Sequence, residues 1–287
     1  MSTAVAVFHG AFGRVCLYSI DRRMAPHAHR EGHLIFHVQG PPAQMCVGDE
    51  VWPVSPGQAV AVSPWQPHYF EPGPSETPTL ALVLYIRPAW FLEVARQASP
   101  SLQFGRVGIE VTDRLLRMVC GTASTMLDPE ADDPMLEDRL CALSQAAYDQ
   151  SWQWTAQGHG FVGPGVAGRD FRIRRSLRLL QEAIGEDLAL NSIAREVGLS
   201  RPHFYKLFRE QVGVTPNLYL NALRMERAIE KLTTSDDPVA EIGFDLGFAS
   251  QASFSRFFIS NGVVPPTVYR RCVQTSPTPD LIGMGPS

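Results

Sequence analysis

Two stretches of this chain, 50 residues apart, carry one pattern. The first reads Ile193-Ala194, then Val197-Gly198-Leu199-Ser200, then Phe204 and Phe208. The second reads Glu241-Ile242, then Leu246-Gly247-Phe248-Ala249-Ser250, then Phe254 and Phe258. Each copy predicts a short helix, a turn opened by glycine, and a second helix. Ser200 and Ser250 stand where a side-chain oxygen can accept a hydrogen bond from an N–H in the first turn of the following helix. Gly198 and Gly247 suit the left-handed conformation that ends the preceding one. The two phenylalanine pairs are spaced i, i+4, so each pair buries one face of its second helix. The opposite face presents Arg201, Tyr205, Lys206 and Arg209 in the first copy, and Gln251, Ala252, Ser255 and Arg256 in the second. A docking face that is apolar and a reading face that is polar is the layout of a helix-turn-helix.

The connector fits this layout. Thr215-Pro216 opens a helix that runs through Leu232, with Leu220, Leu223, Ala228 and Leu232 on one face. A helix of about 16 residues spans about 24 Å. Two major-groove entries on one face of DNA lie about 34 Å apart, and a rigid connector is what holding two recognition helices at a fixed separation requires.

Charge follows the same division. Residues 1–168 carry 10 basic and 16 acidic side chains, whereas residues 169–272 carry 15 and 12. The net of −4 argues against a general nucleic-acid binder, but the basic C-terminal part suits an anionic partner.

Ahead of the repeat, residues 1–88 read as short strands, such as Leu34–Gln39, Ala59–Ser63 and Thr79–Ile86, punctuated by Pro and Gly. Such spacing predicts a sandwich or small barrel. Residues 89–157 read as helical, with apolar side chains at three- and four-residue steps over Val111–Leu127 and Pro134–Trp154. Gly158–Gly168 reads as a flexible linker, residues 169–272 as an all-helical domain, and residues 273–287 as a disordered tail. The longest apolar run, Thr79–Ile86, is too short to span a bilayer, and no secretory signal is visible. The five cysteines include no CxxC pair. A cytoplasmic protein with reduced thiols and no membrane partner is expected.

The stretch from Leu188 to Arg271 resembles the DNA-binding domain of the AraC/XylS family of bacterial transcription regulators. The resemblance rests on the two repeats, on Tyr219-Leu220 and Leu223-Arg224-Met225-Glu226-Arg227-Ala228 between them, and on Pro265-Pro266 with Tyr269-Arg270 at the end. It implies double-stranded DNA as partner, bound in adjacent major grooves. Pro202, Tyr205 and Lys206 would face bases from the first reading helix, Gln251, Ser255 and Arg256 from the second, and Arg209 would meet phosphate. Ala252 could touch a thymine methyl. One departure stands out. Where the family usually has a basic pair after Phe258, this chain has Ile259-Ser260-Asn261-Gly262, which removes two expected phosphate contacts.

In the N-terminal part, His27-Ala28-His29 is followed by His33, by Pro56-Gly57 and by Pro67-His68. This resembles the cupin pattern, with a histidine at position 33 where metal-binding cupins place a glutamate. If His27 and His29 lie on one strand, their alternation by two puts both side chains on one face. Two readings stay open. His27, His29, His33 and His68 line a pocket for a small organic effector, with Trp65 and Tyr69 at its mouth or in the core; or they hold one transition metal ion, for which imidazoles are suitable ligands. Arg22-Arg23 could pair with an anionic effector. No cofactor is expected on the first reading.

The expected fold class is therefore α+β and multidomain: an N-terminal cupin-like β-barrel with a helical subdomain, then an all-α double helix-turn-helix domain. The expected function is a transcription regulator, with activator among its assigned roles, answering to a small-molecule effector. RNA polymerase and a second copy of the chain are expected partners, the helices of residues 111–157 either pairing two subunits or bracing the barrel or the DNA-binding domain. With no nucleophile motif and no glycine-rich phosphate loop after a strand, an enzyme is not expected. A cupin metal-dependent enzyme or a metal sensor fused to a DNA-binding domain is the alternative.

Overall fold

The structure is a computed structural model that describes residues 2–94, 102–128, 135–152, 170–182, 184–185 and 190–275. The expected linker, Gly158–Gly168, lies outside the described residues.

The N-terminal domain opens with β1 (Thr3–Gly10), β2 (Gly13–Ile20), β3 (Gly32–Gln39), β4 (Ala43–Val47), β5 (Glu50–Val54), β6 (Gln58–Val62), β7 (His68–Glu71) and β8 (Thr79–Ile86). Helix α1 (Pro88–Val94), strand β9 (Gly108–Glu110) and helices α2 (Asp113–Leu127) and α3 (Leu136–Trp152) follow. The strands form two antiparallel sheets, a six-stranded one in the order β1-β2-β8-β3-β6-β9 and a three-stranded one in the order β5-β4-β7. This corrects the expected barrel, because the two sheets are not joined into a closed one. Strand β9 is a second correction. Three residues inside the stretch read as helical pair with β6, Gln58 opposite Glu110.

The large sheet is covered on both faces. Cys16, Tyr18, Ile35, Val83 and Tyr85 point toward Met45, Val47 and Phe70 of the small sheet. Leu17, Leu34, Phe36, Leu82 and Leu84 point the other way, onto Phe91, Leu115, Val119, Leu140 and Leu143. A strand buried on both faces reads as a continuous apolar run rather than an alternating one, which is why Thr79–Ile86 is so hydrophobic. The pattern over Val111–Leu127 becomes α2, whose N-cap Thr112 accepts from Leu115 N at 3.3 Å.

The C-terminal domain is all-helical: α4 (Phe171–Glu182), α5 (Leu190–Glu196), α6 (Arg201–Val212), α7 (Pro216–Thr234), α8 (Val239–Asp245), α9 (Gln251–Asn261) and α10 (Pro266–Thr275). Both helix-turn-helix units form as the repeat predicts, α5–α6 and α8–α9. Gly198 (φ +71°) and Gly247 (φ +80°) take the left-handed conformation at the two turns. Phe204, Phe208, Phe254 and Phe258 are fully buried. The connector α7 is 19 residues long, opened by Thr215 accepting from Leu218 N and by Pro216 in the first turn. Helix α10 continues to Thr275, three residues into the expected tail; residues 276–287 lie outside the described ones.

Candidate functional site

The reading faces are free of the fold. Arg201, Pro202, Lys206 and Arg209 are exposed on α6, with Tyr205 half-buried beneath the Arg201 guanidinium at 5.4 Å. Gln251, Ala252 and Arg256 are exposed on α9, and Ser255 is half-buried. All nine predicted positions thus lie on the two second helices, away from the phenylalanine faces. The caps differ. Ser250 accepts from Ser253 N at 3.1 Å while the Ser253 hydroxyl is bonded by Ser250 N at 3.2 Å, a reciprocal capping box. Ser200 has the extended backbone of an N-cap but makes no side-chain capping bond, contrary to the expectation for it.

The four histidines come together. His27 and His29 are not on a strand, as the alternation suggested, but in the loop between β2 and β3, where the His27 and His68 backbones bond each other at 3.0 and 2.9 Å. His68 begins β7 and His33 lies on β3. All four side chains are buried. One nitrogen of each of His27, His29 and His68 lies within 4.8 Å of the others. Their Nδ1 atoms face backbone carbonyls: Ala25 O at 2.9 Å for His27, Glu31 O at 3.1 Å for His29 and Gln66 O at 2.8 Å for His68. A carbonyl only accepts, so Nδ1 carries the proton in each ring and Nε2 keeps its lone pair. His33 Nδ1 then donates to His68 Nε2 at 3.1 Å. Among the described residues, His29 Nε2 and His33 Nε2 have no hydrogen-bond partner. Burial, above all, holds all four imidazoles below the ordinary histidine range, His68 at about 3. Neutral imidazole is the form that can ligate a metal.

Beside the cluster, Arg14 pairs with Glu31 at 2.8 Å and lies 3.6 Å over the Tyr85 ring, which stacks on His33. Arg14 is one wall of a cleft that the sequence did not reveal. From the N-terminal domain it is lined by Arg14, Tyr18, His27, His29, Glu31 and Tyr85. The facing wall comes from α7, α9, α10 and the turn between the last two, including Met225, Glu226, Ile229, Phe258, Val263 and Tyr269. One apolar core runs through both domains here, from Val7, Cys16 and Tyr18 to Ile229, Phe258 and Tyr269. Polar contacts fix the docking: His9 Nε2 and Tyr269 Oη at 2.9 Å, Arg22 donating to Val263 O at 2.7 Å, and Ala25 N donating to Ser260 O at 3.2 Å.

The other predicted residues fall elsewhere. Trp65 is not in the cleft; it stacks on Tyr219 of α7. Tyr69 and Arg23 pack on each other at 4.7 Å, and Arg22 is spent on Val263. The residues missed by sequence reasoning are Arg14, Tyr85, Glu226 and Tyr269. The one signal was the departure at Ile259-Ser260-Asn261-Gly262. Ser260 accepts from the N-terminal domain, and Asn261 and Gly262 line the cleft. The stretch where the family usually has a basic pair for phosphate contact thus takes part here in docking the domains.

Residues 13–143 match the AraC-like ligand binding domain, and residues 193–272 match a helix-turn-helix domain. The chain belongs to the AraC family. Among AraC-family relatives, it is 32% identical over 115 residues to the regulatory protein PocR of Salmonella typhimurium, covering 40% of this chain and 38% of that one. It is 34% identical over 94 residues to the HTH-type transcriptional activator RhaS of Citrobacter koseri, covering 33% and 34%. The matched stretches thus span little more than a third of these relatives. The fold is shared across almost the whole chain with ToxT of Vibrio cholerae. An apo ToxT variant superposes with a TM-score of 0.63 at 16% identity, covering 93% of this chain and 99% of that one. ToxT bound to an unsaturated fatty acid gives 0.56 at 15% identity, covering 89% and 94%.

Proposed function

We propose that this AraC-family chain is a sequence-specific DNA-binding transcription regulator controlled by a small molecule bound in the cleft between its two domains. The observation that carries this is the position of the cleft. Its far wall includes α7, and α7 is the connector that sets the separation of the two reading helices. A ligand there touches both domains at once, so its affinity differs between docked and released arrangements. A ligand shifts a conformational equilibrium only by such a difference.

The lining supports an amphipathic effector. Arg14, His27, His29 and Glu31 put polar groups on one wall; on the other, apolar Met225, Ile229, Phe258 and Val263 stand beside Asn221, Glu226 and Asn261. This suits an amphipathic small molecule with a polar head, and the fatty acid bound by the structurally similar ToxT is of that kind. We read the chain as a regulator rather than an enzyme, as its relatives PocR and RhaS are named. RNA polymerase and a second copy of the chain are the further partners this reading expects. Leu116 and Leu127 of α2 and Trp152 of α3 are large apolar side chains left exposed where a second copy could pack. Among the described residues no helix is long and apolar enough to cross a membrane.

The test is fluorescence anisotropy of the full chain on DNA from its own upstream region, with scrambled DNA as control and a panel of amphipathic carboxylic acids added in turn. Salt-dependent preference for the upstream DNA that an acid shifts, and that Met225→Trp in the cleft makes insensitive to the acid, supports the reading. Equal affinity for both DNAs defeats it.

A further inference from the structure

We propose that His27, His29 and His68 hold one divalent transition metal ion through their Nε2 atoms. Three features of the chain's own residues make this site. First, the rings converge, one nitrogen of each lying within 4.8 Å of one nitrogen of each of the others. Ligands at about 2.1 Å around one tetrahedral ion stand about 3.4 Å apart, so the widest pair closes by at most about 1.4 Å. Second, each ring is already turned. The carbonyls of Ala25, Glu31 and Gln66 take the Nδ1 protons of His27, His29 and His68. This is the arrangement that fixes tautomer and ring direction around bound metals, where the outer N–H of a ligating histidine is engaged by a carbonyl or carboxylate. Three carbonyls from three separate backbone positions thus leave all three Nε2 atoms with a lone pair.

Third, a donor is left without a partner. His29 Nε2 is buried and bonded to nothing among the described residues. A buried polar atom without a partner is costly, and a native site that keeps one calls for an explanation. His68 Nε2 is held by a single bond from His33 Nδ1, which an ion at that atom would replace. Glu31, half-buried beside His29 with Oε2 at 3.7 Å from its Nδ1, supplies a negative charge near the ion. Imidazole-only sets select borderline metals such as zinc, copper, nickel and iron(II) over magnesium or calcium.

His27 and His29 also line the cleft. An ion held there lies within reach of whatever occupies it, so effectors that carry a metal-chelating head are favoured. That last clause rests on the effector reading above; the ion itself does not.

The experiment uses the full-length chain, purified without chelator and without a histidine tag, and dialysed against cobalt(II) or zinc(II). The expected result is about one ion per chain, visible absorption from cobalt bound to nitrogen, and a melting temperature raised by zinc. His29→Gln and His68→Gln are expected to lose the ion, the absorption and the zinc-induced shift, whereas His37→Gln keeps all three; His37 bonds Gly40 O, outside the cluster. Absence of stoichiometric metal in the wild type overturns the site, as does unchanged binding in both cluster variants. Should either variant fail to melt cooperatively, carbethoxylation of the wild type decides. Zinc is expected to protect His27, His29 and His68 from the reagent, and equal modification with and without zinc refutes the proposal.

Discussion

Trp65 stacks on Tyr219 with ring centroids 4.9 Å apart and planes 18° from parallel, and it does so from a left-handed backbone, φ +66°. Among the described non-glycine residues it alone has positive φ. The stack ties two functional parts together. Trp65 N donates to His29 O at 2.8 Å, and Tyr219 packs on Phe208 of the first reading unit. The histidine loop and the first helix-turn-helix are thus joined through one aromatic pair.

That pair predicts an unusual ranking. Trp65→Ala removes the stack, worth about 0.5–1.5 kcal/mol beyond buried area, and keeps the left-handed strain. Trp65→Gly removes the stack and the strain, about 1 kcal/mol. The glycine variant is therefore expected to melt higher than the alanine variant, the reverse of the usual order for a chain position. Both are expected to exchange backbone amides of Leu218–Leu223 faster than wild type. Hydrogen exchange with thermal melts checks this; unaltered exchange in both variants would mean the stack carries no docking energy.

The two serine caps, equivalent in sequence, are not equivalent in the fold. Ser250→Ala breaks a reciprocal capping box and is expected to cost about 1 kcal/mol. Ser200→Ala removes no capping bond and is expected to cost only a few tenths. Urea titrations of the two variants separate these outcomes, and equal losses would place a cap at Ser200 after all.

Such contrasts show what the sequence makes legible. The double helix-turn-helix could be read because its determinants are local: glycine turns, serine positions and phenylalanine pairs within one or two helical turns of each other. The sheets were half legible. Strand runs stood out, but whether two sheets close depends on hydrogen bonds between strands far apart in the chain, and β9, only three residues long, carries too little pattern to be seen. The histidine set was visible as a motif, though its placement in a loop rather than on a strand was not. The cleft was invisible because Arg14 and Glu226 are 212 positions apart and meet only through domain docking.

Base reading is expected to separate from phosphate contact. Lys206 is 74% exposed, and its ion pair with Glu210 spans 3.9 Å, so it contributes little to stability. Arg256 is likewise exposed. Lys206→Ala and Arg256→Ala are each expected to weaken specific binding by about 1–3 kcal/mol, with melting temperature unchanged. Arg209→Ala is expected to lower affinity for all sequences alike and to reduce the salt slope by about one. Anisotropy titrations across a salt series on cognate and scrambled DNA check both. A uniform loss in all three variants would remove the distinction between reading and anchoring residues.

The docking of the domains is expected to respond to pH through two groups of opposite sign. The Glu226 carboxyl on α7 is pushed up to about 7, chiefly by burial; Arg30 at 3.4 Å pulls it back, Glu31 raises it further and Arg14 lowers it. Between its ordinary value of 4.5 and about 7 the folded chain holds a proton that the unfolded chain has released. Stability from this group therefore falls as pH rises through that window and stays at the lower level above it. His9, bonded to Tyr269, runs the other way. It is pushed down to about 3, chiefly by burial and then by Arg14 and Arg87. The unfolded chain binds more protons between about 3 and 6.5, so stability from His9 rises with pH over that range. In the wild type the two slopes oppose each other from pH 5 to 6.5. Glu226→Gln removes the falling one, and the partly exposed pair with Arg30 that it also loses is worth little. The variant's melting temperature is thus expected to climb more steeply than the wild type's from pH 5 to 6.5, and to exceed it above pH 7. Parallel curves for the two proteins would show that Glu226 is ionised at no cost when the domains are docked.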